Sequence, residues 1–573
     1  MKYQLISETN GKGLLETVLD NRNLTIEQVK ELLNADEKYC NDPFEIYGMN
    51  KAIEQFNEEI AKENNILIIC DSDCDGNCSS AIFYKFLIED IKYNKEKVFF
   101  YIHEGKQHGI TKKVFKYIKD INAKYLIVPD AGTNNIEEMK KLNKLDVKVL
   151  CLDHHLVEIN LNKIPSNTVI VNNQVNNVSR CGSGTFVTAK FIEALGYSID
   201  KYKDLIAISL VADSMDCMDK ENRAFINEGL NNIKNPLVKE YFKKNRIYKP
   251  IINDVSYNLA NFVNAIIRVG TQEEKELMFR AFIGEQEEFN YIKRGGEEVK
   301  ETLQERVVRL SSNAKSRQNN ATKKSVEKCN AYITRNHLDN DKVIIIKDDN
   351  GFIIDKDTTG LVAMKVADSW KRPCIILNKS TDGLYSGSAR AIGEINNLKD
   401  ILDKTELCEW NKGHQGAFGI LIKENNIEEL RNKLNERLKD FEFYDGRIYT
   451  VDNIIDIKDL SKNDIKEIGE LNGLWCSTCK SPLFCIKNIE IESCKIEMKG
   501  KLRMEFKYNG FKFVKNWCSK DFFEMISCKQ QLKFGRSIPL NITLICKFLV
   551  DSKGNPFIEI IDANSIKSSK LNF

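Results

Sequence analysis

Ile66-Leu67-Ile68-Ile69-Cys70-Asp71-Ser72-Asp73-Cys74-Asp75-Gly76 is the stretch around which the chain is organised. A short unbroken apolar run bounded by polar residues reads as a strand buried in a parallel sheet. Three aspartates at alternate positions follow, then Gly76, and Ser79-Ser80-Ala81-Ile82-Phe83 carries the chain into a helix. In a parallel α/β sheet, ligands bind at the carboxyl ends of the strands. Three like charges packed there are costly unless cations neutralise them, and hard carboxylate oxygens suit magnesium or manganese. The plain alternative is a solvated acidic turn. A calcium loop of the EF-hand type does not fit, because no helix precedes the aspartates and no bidentate glutamate closes the loop.

Outward from this strand, apolar runs alternate with helical patterns. Residues 1–60 read as a polar, helical N-terminal segment, with Ser7 or Thr25 as helix starts. Val98–Ile102, Tyr125–Val128, Val147–Leu152 and Thr168–Val171 read as further strands separated by helices. That order means right-handed βαβ units and a parallel sheet, an α/β domain over 61–284. Residues 285–335 are charged and read as a linker helix with one break at Gly295-Gly296. A smaller α/β unit occupies 336–445, with a strand at Cys374–Leu377 and a polar turn at Ser386-Gly387-Ser388-Ala389-Arg390. From 446 to 573 the pattern is β. Lys501–Tyr508 alternates charged and apolar residues, Asn509-Gly510 is a strong two-residue hairpin turn, and Phe511–Val514 returns, so a small barrel or sandwich is expected.

Composition narrows the classes. A chain of 573 residues is long enough for several cores. Its 85 basic and 83 acidic residues nearly cancel, leaving a formal net charge of +2, so any surface for nucleic acid must be local. No apolar leader and no run of membrane-spanning length is evident. The 17 cysteines, among them Cys70, Cys151, Cys374 and Cys546 in apolar runs, read as reduced, buried thiols of a cytoplasmic protein.

Further acidic and histidine residues fall at strand or helix ends. Asp130 follows Leu126-Ile127-Val128-Pro129, Asp153-His154-His155 follows Val149-Leu150-Cys151-Leu152, and Asp213 ends the apolar helix Leu205–Val211. Of only six histidines, two stand side by side at one strand end. A lone histidine there would more often be a satisfied core residue. A triplet sharing its surface with other aspartates reads better as a metal site, and mixed carboxylate and imidazole ligands fit a two-manganese phosphoesterase better than structural zinc.

Taken in order, Asp71-Ser72-Asp73-Cys74-Asp75-Gly76, Asp130, Asp153-His154-His155 and Val211-Ala212-Asp213 resemble the four motifs of the DHH phosphoesterase superfamily. Tyr101-Ile102 leading to His108-Gly109-Ile110, Glu221-Asn222-Arg223 with Glu228-Gly229-Leu230, and Asn264-Ala265-Ile266-Ile267-Arg268-Val269-Gly270 resemble its RecJ branch of single-strand-specific exonucleases. Gly387-Ser388-Ala389-Arg390 and Gly413-His414 through Gly419 look like the signatures of the DHH-associated domain. Any one motif is weak; the ordered set is strong. Two departures stand out. Asp355-Lys356-Asp357-Thr358-Thr359 occupies the place of a Trp-His-x-Gly element, and Lys412-Gly413-His414 replaces Gly-Gly-His.

The resemblance implies a DHH catalytic domain over 61–284, a DHH-associated substrate-binding domain over 336–445 and an OB-like nucleic-acid-binding domain over 446–573. It implies two divalent cations, manganese or magnesium, held by Asp73 and Asp75, with Asp71, Asp130, Asp153, His154 and Asp213 completing the ligands. Asp130 is the candidate bridge, and His155 is placed on the scissile phosphate. Asp73, Asp75, Asp130, Asp153, His154, His155 and Asp213 thus form the candidate catalytic set. Arg268, Arg390 and His414, with Asn264, Gly387, Ser388 and Gly413, would hold phosphates, giving position rather than base identity. For Arg390 and His414 the plain alternative is a tight turn whose side chains cap backbone groups. The implied reaction is hydrolysis of single-stranded DNA from the 5' end to nucleoside 5'-monophosphates, in repair or recombination. The implied partners are single-stranded DNA and a single-strand-binding protein or helicase, with the chain a monomer away from membranes.

Two features of the last region stay open. Lys499, Lys501, Arg503, Lys507, Lys512 and Lys515 interleave with Phe506, Tyr508, Phe511 and Phe513. This suits a stacking face for single strands, and equally an ordinary strand with aromatics in the core. Cys476-Ser477-Thr478-Cys479, with Cys485 and Cys494, raises structural zinc, but no second Cys-x-x-Cys accompanies it. Competing readings of the whole are a nanoRNase or cyclic-dinucleotide phosphodiesterase, typically shorter and without the β region, an inorganic pyrophosphatase, and an inactive DHH scaffold in replication. The intact ligand set speaks against the last.

Overall fold

The computed structural model describes the chain except residues 9–10, 106, 352–353, 355–357, 381–382, 394, 445–446, 529–536 and 568–573. Asp355, Lys356 and Asp357, part of one departure from the family pattern, lie outside the described residues. The chain forms two compact units. One comprises Met1–Glu31, Glu442–Trp475 and Cys479–Phe573; the other comprises Leu32–Phe441 with Cys476–Thr478.

In the larger unit, β1 (Ile66–Cys70), β2 (Val98–Ile102), β3 (Tyr125–Pro129), β4 (Lys148–Asp153) and β5 (Thr168–Asn172) form a sheet in the order β2-β1-β3-β4-β5. Every pairing is parallel. All residues of β1 and β3 are buried, as continuous apolar runs covered on both faces must be. Leu67 and Ile69 share a core with Val114, Ile118, Met139 and Leu142. The chain runs from β1 out to β2, then recrosses to β3 and continues the other way. A crevice opens at such a reversal, outside the carboxyl ends of the strands. The Asp71–Asp75 loop leaves β1 there, and Asp130 leaves β3.

Helices α1 (Cys74–Lys85), α2 (Gly184–Ala194), α3 (Lys203–Ala212) and α4 (Asn261–Val269) surround this edge of the sheet, followed by the long α5 (Leu303–Arg335) and then α6 (Thr359–Trp370). The expected helix over 285–335 is a helix only from Leu303. Before it, Glu288–Ile292 and Glu298–Thr302 pair as an antiparallel hairpin, with Gly296 at φ +84° in the turn. The high charge of this stretch hides a two-residue period. Its aromatic positions, Phe289 and Tyr291, lie beneath the guanidinium groups of Arg306 and Arg309, at 4.4 and 3.9 Å from the ring centroids. Thr302 and Glu305 form a reciprocal capping box that starts α5.

The second sheet of this unit runs Cys408–His414, Ala417–Lys423, Leu384–Arg390, Cys374–Lys379, Ile344–Asp348. The polar Ser386–Arg390 stretch is therefore strand, not turn. Gly387 lies opposite Leu377, where a Cβ would stand 1.8 Å from the Ile376 carbonyl oxygen. Close backbone approach, rather than a reversal of direction, explains the glycine.

The smaller unit begins with a strand, Lys2–Leu5, parallel to Ile448–Val451, so the start of the chain is not wholly helical. Thr25 does cap the helix Ile26–Leu33, its Oγ1 accepting from Gln28 N at 3.2 Å, whereas Ser7 bonds to the Asn21 side chain. A seven-stranded mixed sheet runs Asn453–Asp456, Phe484–Glu492, Pro539–Val550, Pro556–Lys567, Phe511–Asn516, Arg503–Tyr508, Glu497–Met498. Among the described residues no pairing joins its outer strands, so the expected OB-like closure is not among these pairings. Asn509 and Gly510 take φ +47° and +76° in the hairpin turn, as the Asn-Gly pair requires. Phe506 faces Phe513 with stacked rings 4.6 Å apart, and both are buried with Phe511. These three phenylalanines thus belong to the core and offer no stacking face, while Tyr508 is half-buried. No helix among the described residues is long and apolar enough to cross a membrane.

Candidate metal centre

The acidic loop is shaped by the start of α1. Asp73 caps that helix, its Oδ1 accepting from Gly76 N at 2.9 Å. Gly76 is required because the loop folds back on itself: a Cβ would stand 2.6 Å from Asp71 Cβ. Asp75 turns to the amino end of α2 and accepts from Gly184 N at 2.8 Å and Thr185 N at 2.9 Å, where free N–H groups favour an anion. Gly184 also lets α2 approach Asp130, whose Cα a Cβ would meet at 2.5 Å. Asp130 itself has φ +61°, a conformation costing a non-glycine residue about 1–3 kcal/mol.

His154 stands at the centre of the cluster. Its Nε2 lies 3.2 Å from Asp130 Oδ1, 3.5 Å from Asp213 Oδ2 and 3.8 Å from Asp75 Oδ2. Three sets of ligand atoms, each gathered within 4.8 Å, can hold a cation: Asp71, Asp73 and Asp130; Asp75, His154 and Asp213; Asp130, His154 and His155. Asp130 is 1% exposed, and neither of its buried oxygens accepts a hydrogen bond among the described residues. Burial, then the charges of Asp75, Asp73, Asp71 and Asp213, push its carboxyl well up. Burial with the charges of Asp75 and Asp73 raises Asp213 to about 8, against the pull of His155. Carboxylates that the protein itself leaves so poorly compensated fit a divalent cation.

The two histidines are in opposite states. Burial lowers His154 and keeps its imidazole neutral, the form that binds metal. His155 Nδ1 bonds Asp153 Oδ1 at 2.8 Å, and this bond raises the ring to about 9, so it is an imidazolium at neutral pH. Asp153 also accepts from the backbone N–H groups of His154, His155 and Thr133. Burial works to raise its carboxyl, but the bond and charge of His155, with His154 and Thr133, hold it below the usual carboxylate range. Asp153 lies outside the three sets, its oxygens already engaged by the protein. His155 falls in one set by proximity, yet its ionised ring and fixed Nδ1 bond suit a phosphate better than a cation. Asp71 is tied as well: its Oδ2 bonds His108 Nδ1 at 2.5 Å and its Oδ1 accepts from Gly109 N at 3.0 Å. His108 was absent from the expected site residues, and only the segment Tyr101–Ile110 signalled it.

A cavity of about 210 Å³ opens beside the cluster, lined among others by Asp73, Asp75, His108, Asp213, Asn264 and Arg268. Asn264 and Arg268, one turn apart on α4, share a face. In the second sheet Arg390, Ala417 and His414 form one row across adjacent strands. Gly360, at the head of α6, makes room for the Arg390 guanidinium, which a Cβ would meet at 2.4 Å. Burial lowers Arg390, and the charge of Arg268 adds to the effect; burial likewise lowers Arg268, opposed by Asp73. Lys315 of α5 is lowered by burial, then by Arg268 and by Lys365 of α6. Cations from three helices and a strand thus share one field, which favours an anion among them. No local pattern marks Lys315 or Lys365 in their charged helices. Gly387 and Ser388 lie in the Arg390 strand; Gly413, at φ +129°, and His414 are not among the residues lining the cavity. None of Cys476, Cys479, Cys485 and Cys494 joins a set of three ligands among the described residues.

Residues 65–215 match the model of the DHH family, N-terminal domain. YorK of Bacillus subtilis, an SPbeta prophage-derived protein whose name proposes single-strand DNA-specific exonuclease activity, is 29% identical over 597 positions, covering 100% of this chain and 99% of that protein. The single-stranded-DNA-specific exonuclease RecJ of Bacillus subtilis is 25% identical over 82% of this chain and 58% of its own length. RecJ of Thermus thermophilus, solved in complex with Mn2+, matches with a TM-score of 0.67 at 17% identity, over 99% of this chain and 80% of that one, a likeness of fold. The acidic loop, Asp130, Asp153-His154-His155 and Asp213 all fall inside the matched span and meet at one end of one sheet, so residues 65–215 match a DHH-family domain and the chain is similar to RecJ proteins over most of its length.

Proposed function

We propose that the chain is a metal-dependent exonuclease on single-stranded DNA, working from the 5' end and releasing nucleoside 5'-monophosphates in repair or recombination. The observation that carries this reading is Asp130, whose two buried, unbonded oxygens sit among four other carboxylates and His154. Two divalent cations, manganese or magnesium, held by Asp71, Asp73, Asp75, Asp130, His154 and Asp213 with Asp130 as bridge, would supply Lewis acidity at the scissile phosphate. Asp153 orients both histidines and keeps His155 charged. His155 Nε2 then donates to a phosphate oxygen, whose negative charge grows as the phosphodiester is attacked.

Arg268 and Arg390, with Lys315 nearby, grip the phosphate chain and fix its position without reading bases. Asn264, one turn away on α4, lines the same cavity and faces the same substrate. Ser388 and His414, beside Gly387 and Gly413 on the second sheet, offer further polar groups to the phosphates. The names of the relatives support single-stranded DNA as the substrate, and the direction of attack rests on the resemblance to RecJ.

The test incubates the purified protein with manganese and a 5'-phosphorylated, 3'-labelled single strand, beside an Asp130→Ala control. Stepwise release of mononucleotides from the 5' end, absent in the control, is expected. Hydrolysis confined to very short oligomers or cyclic dinucleotides would favour the nanoRNase branch instead. No hydrolysis of any of these would leave the scaffold reading in front.

A further inference from the structure

The chain has four tryptophans, and they are held differently. Trp475 is buried, Trp370 donates its indole N–H to Asn330 Oδ1 at 2.8 Å, and Trp410 lies against Gly419. Trp517 is 82% exposed and makes no hydrogen bond or ring contact among the described residues. It also has φ +53°, a region that a bulky side chain rarely enters. The backbone on either side is pinned. Asn516 pairs with Arg503 and bonds Glu559 through Nδ2 at 3.2 Å, Cys518 N donates to the Leu502 carbonyl at 2.9 Å, and Ser519 caps the helix Lys520–Ser527. The smaller unit therefore holds an unfavourable conformation in place and presents an indole to solvent. Core packing gives no reason for that, and strain of this kind gathers at ligand sites.

The surroundings indicate the ligand. Leu502, opposite, is 50% exposed. Lys501 has no ion-pair partner among the described residues. Arg503 pairs with Glu505, Lys499 with Glu497, and Lys520 only loosely with Glu524 at 3.6 Å. From Glu497 to Glu524 the chain carries seven basic and four acidic residues, a local excess greater than that of the whole protein.

We propose that Trp517 is a stacking platform for a base of a single-stranded nucleic acid, with Lys501, Arg503 and Lys520 taking the flanking phosphates. The proposal rests on the single-strand reading above and names where the smaller unit would hold the strand. An exposed aromatic among cations is the chemistry of sequence-tolerant single-strand binding. The phenylalanines of the adjacent hairpin are buried and cannot serve.

The test titrates the full-length protein in metal-free buffer with a thymidine homopolymer and with an abasic strand of equal length, following tryptophan fluorescence. The homopolymer should quench the wild type. Trp517→Ala should lose the quench and bind the homopolymer about tenfold more weakly, Trp517→Phe should fall between them, and all three should share one thermal midpoint. The abasic strand should bind wild type and Trp517→Ala equally. Equal affinity of wild type and Trp517→Ala for the homopolymer, or a quench that persists in the variant, would overturn the proposal. If that wild type still hydrolyses single strands with manganese, the exonuclease reading stands alone. A wild type that neither binds nor hydrolyses overturns both.

Discussion

Asp130 and Asp213 should govern the pH response of the metal-free protein. Both carboxyls are raised in the folded chain, Asp213 to about 8, from an ordinary value of 3.8. Between those values the folded state keeps protons that the unfolded state has released, so stability declines as pH rises through the window. Divalent cations take the place of those protons. The thermal midpoint in chelator should therefore fall from roughly pH 5 to pH 8 and flatten when manganese is added; a flat chelated profile would sink the idea. Asp130→Asn removes one of the crowded charges. It should raise the chelated midpoint at pH 8, abolish most of the manganese-induced gain, and cut hydrolysis by more than about 100-fold, since outer-shell partners alone cost up to that much. Asp71, Asp130 and Asp213 were legible in the sequence because each directly follows an apolar strand or helix, and Asp73 and Asp75 because they alternate on from Asp71. The engagement of Asp153 was not, because its partner Thr133 comes from the loop after another strand.

At the scale of elements, two glycines that look alike in sequence should behave differently. Gly387 is a strand residue whose Cβ would enter the backbone of the neighbouring strand, against Ile376 O and Leu377 Cα. Gly387→Ala should destabilise the protein by at least about 1–3 kcal/mol, the usual range for overpacking, seen as a lowered denaturant midpoint. Gly360 instead faces the movable end of the Arg390 side chain. Gly360→Ala should leave the midpoint nearly unchanged and raise KM for single strands by displacing the guanidinium. A shared loss of stability in both variants would contradict this division. The parallel sheet was legible from its apolar runs, since burial on both faces leaves little else for such runs to do. The Ser386–Arg390 strand and the 288–302 hairpin were not. Small polar residues in one and dense charge in the other mask a two-residue period that only cross-strand neighbours reveal.

Across the larger unit, what no local pattern records is the meeting of Arg268, Lys315 and Arg390, which come from α4, α5 and the second sheet. The family motifs brought out the two arginines one at a time; their shared field is a property of the tertiary structure alone. Burial disfavours the charges of both Arg268 and Arg390, with the charge of Arg268 adding to the effect at Arg390 and Asp73 opposing it at Arg268, and an anion held by the two relieves both. If one phosphate fills that role, Arg268→Ala and Arg390→Ala should each raise KM about tenfold or more, the worth of a charge-assisted hydrogen bond. The double variant should then lose less than the product of the two single effects, because removing the first arginine already loosens the phosphate for the second. A coupling of about 0.5–3 kcal/mol is expected, measured from the KM values of the four proteins on a 5'-phosphorylated strand at fixed salt. Strictly multiplicative effects would place the arginines on separate phosphates. The distinction bears on direction of attack: a phosphate gripped from two parts of the unit at once fits a strand end, whereas separate phosphates fit a strand passing through.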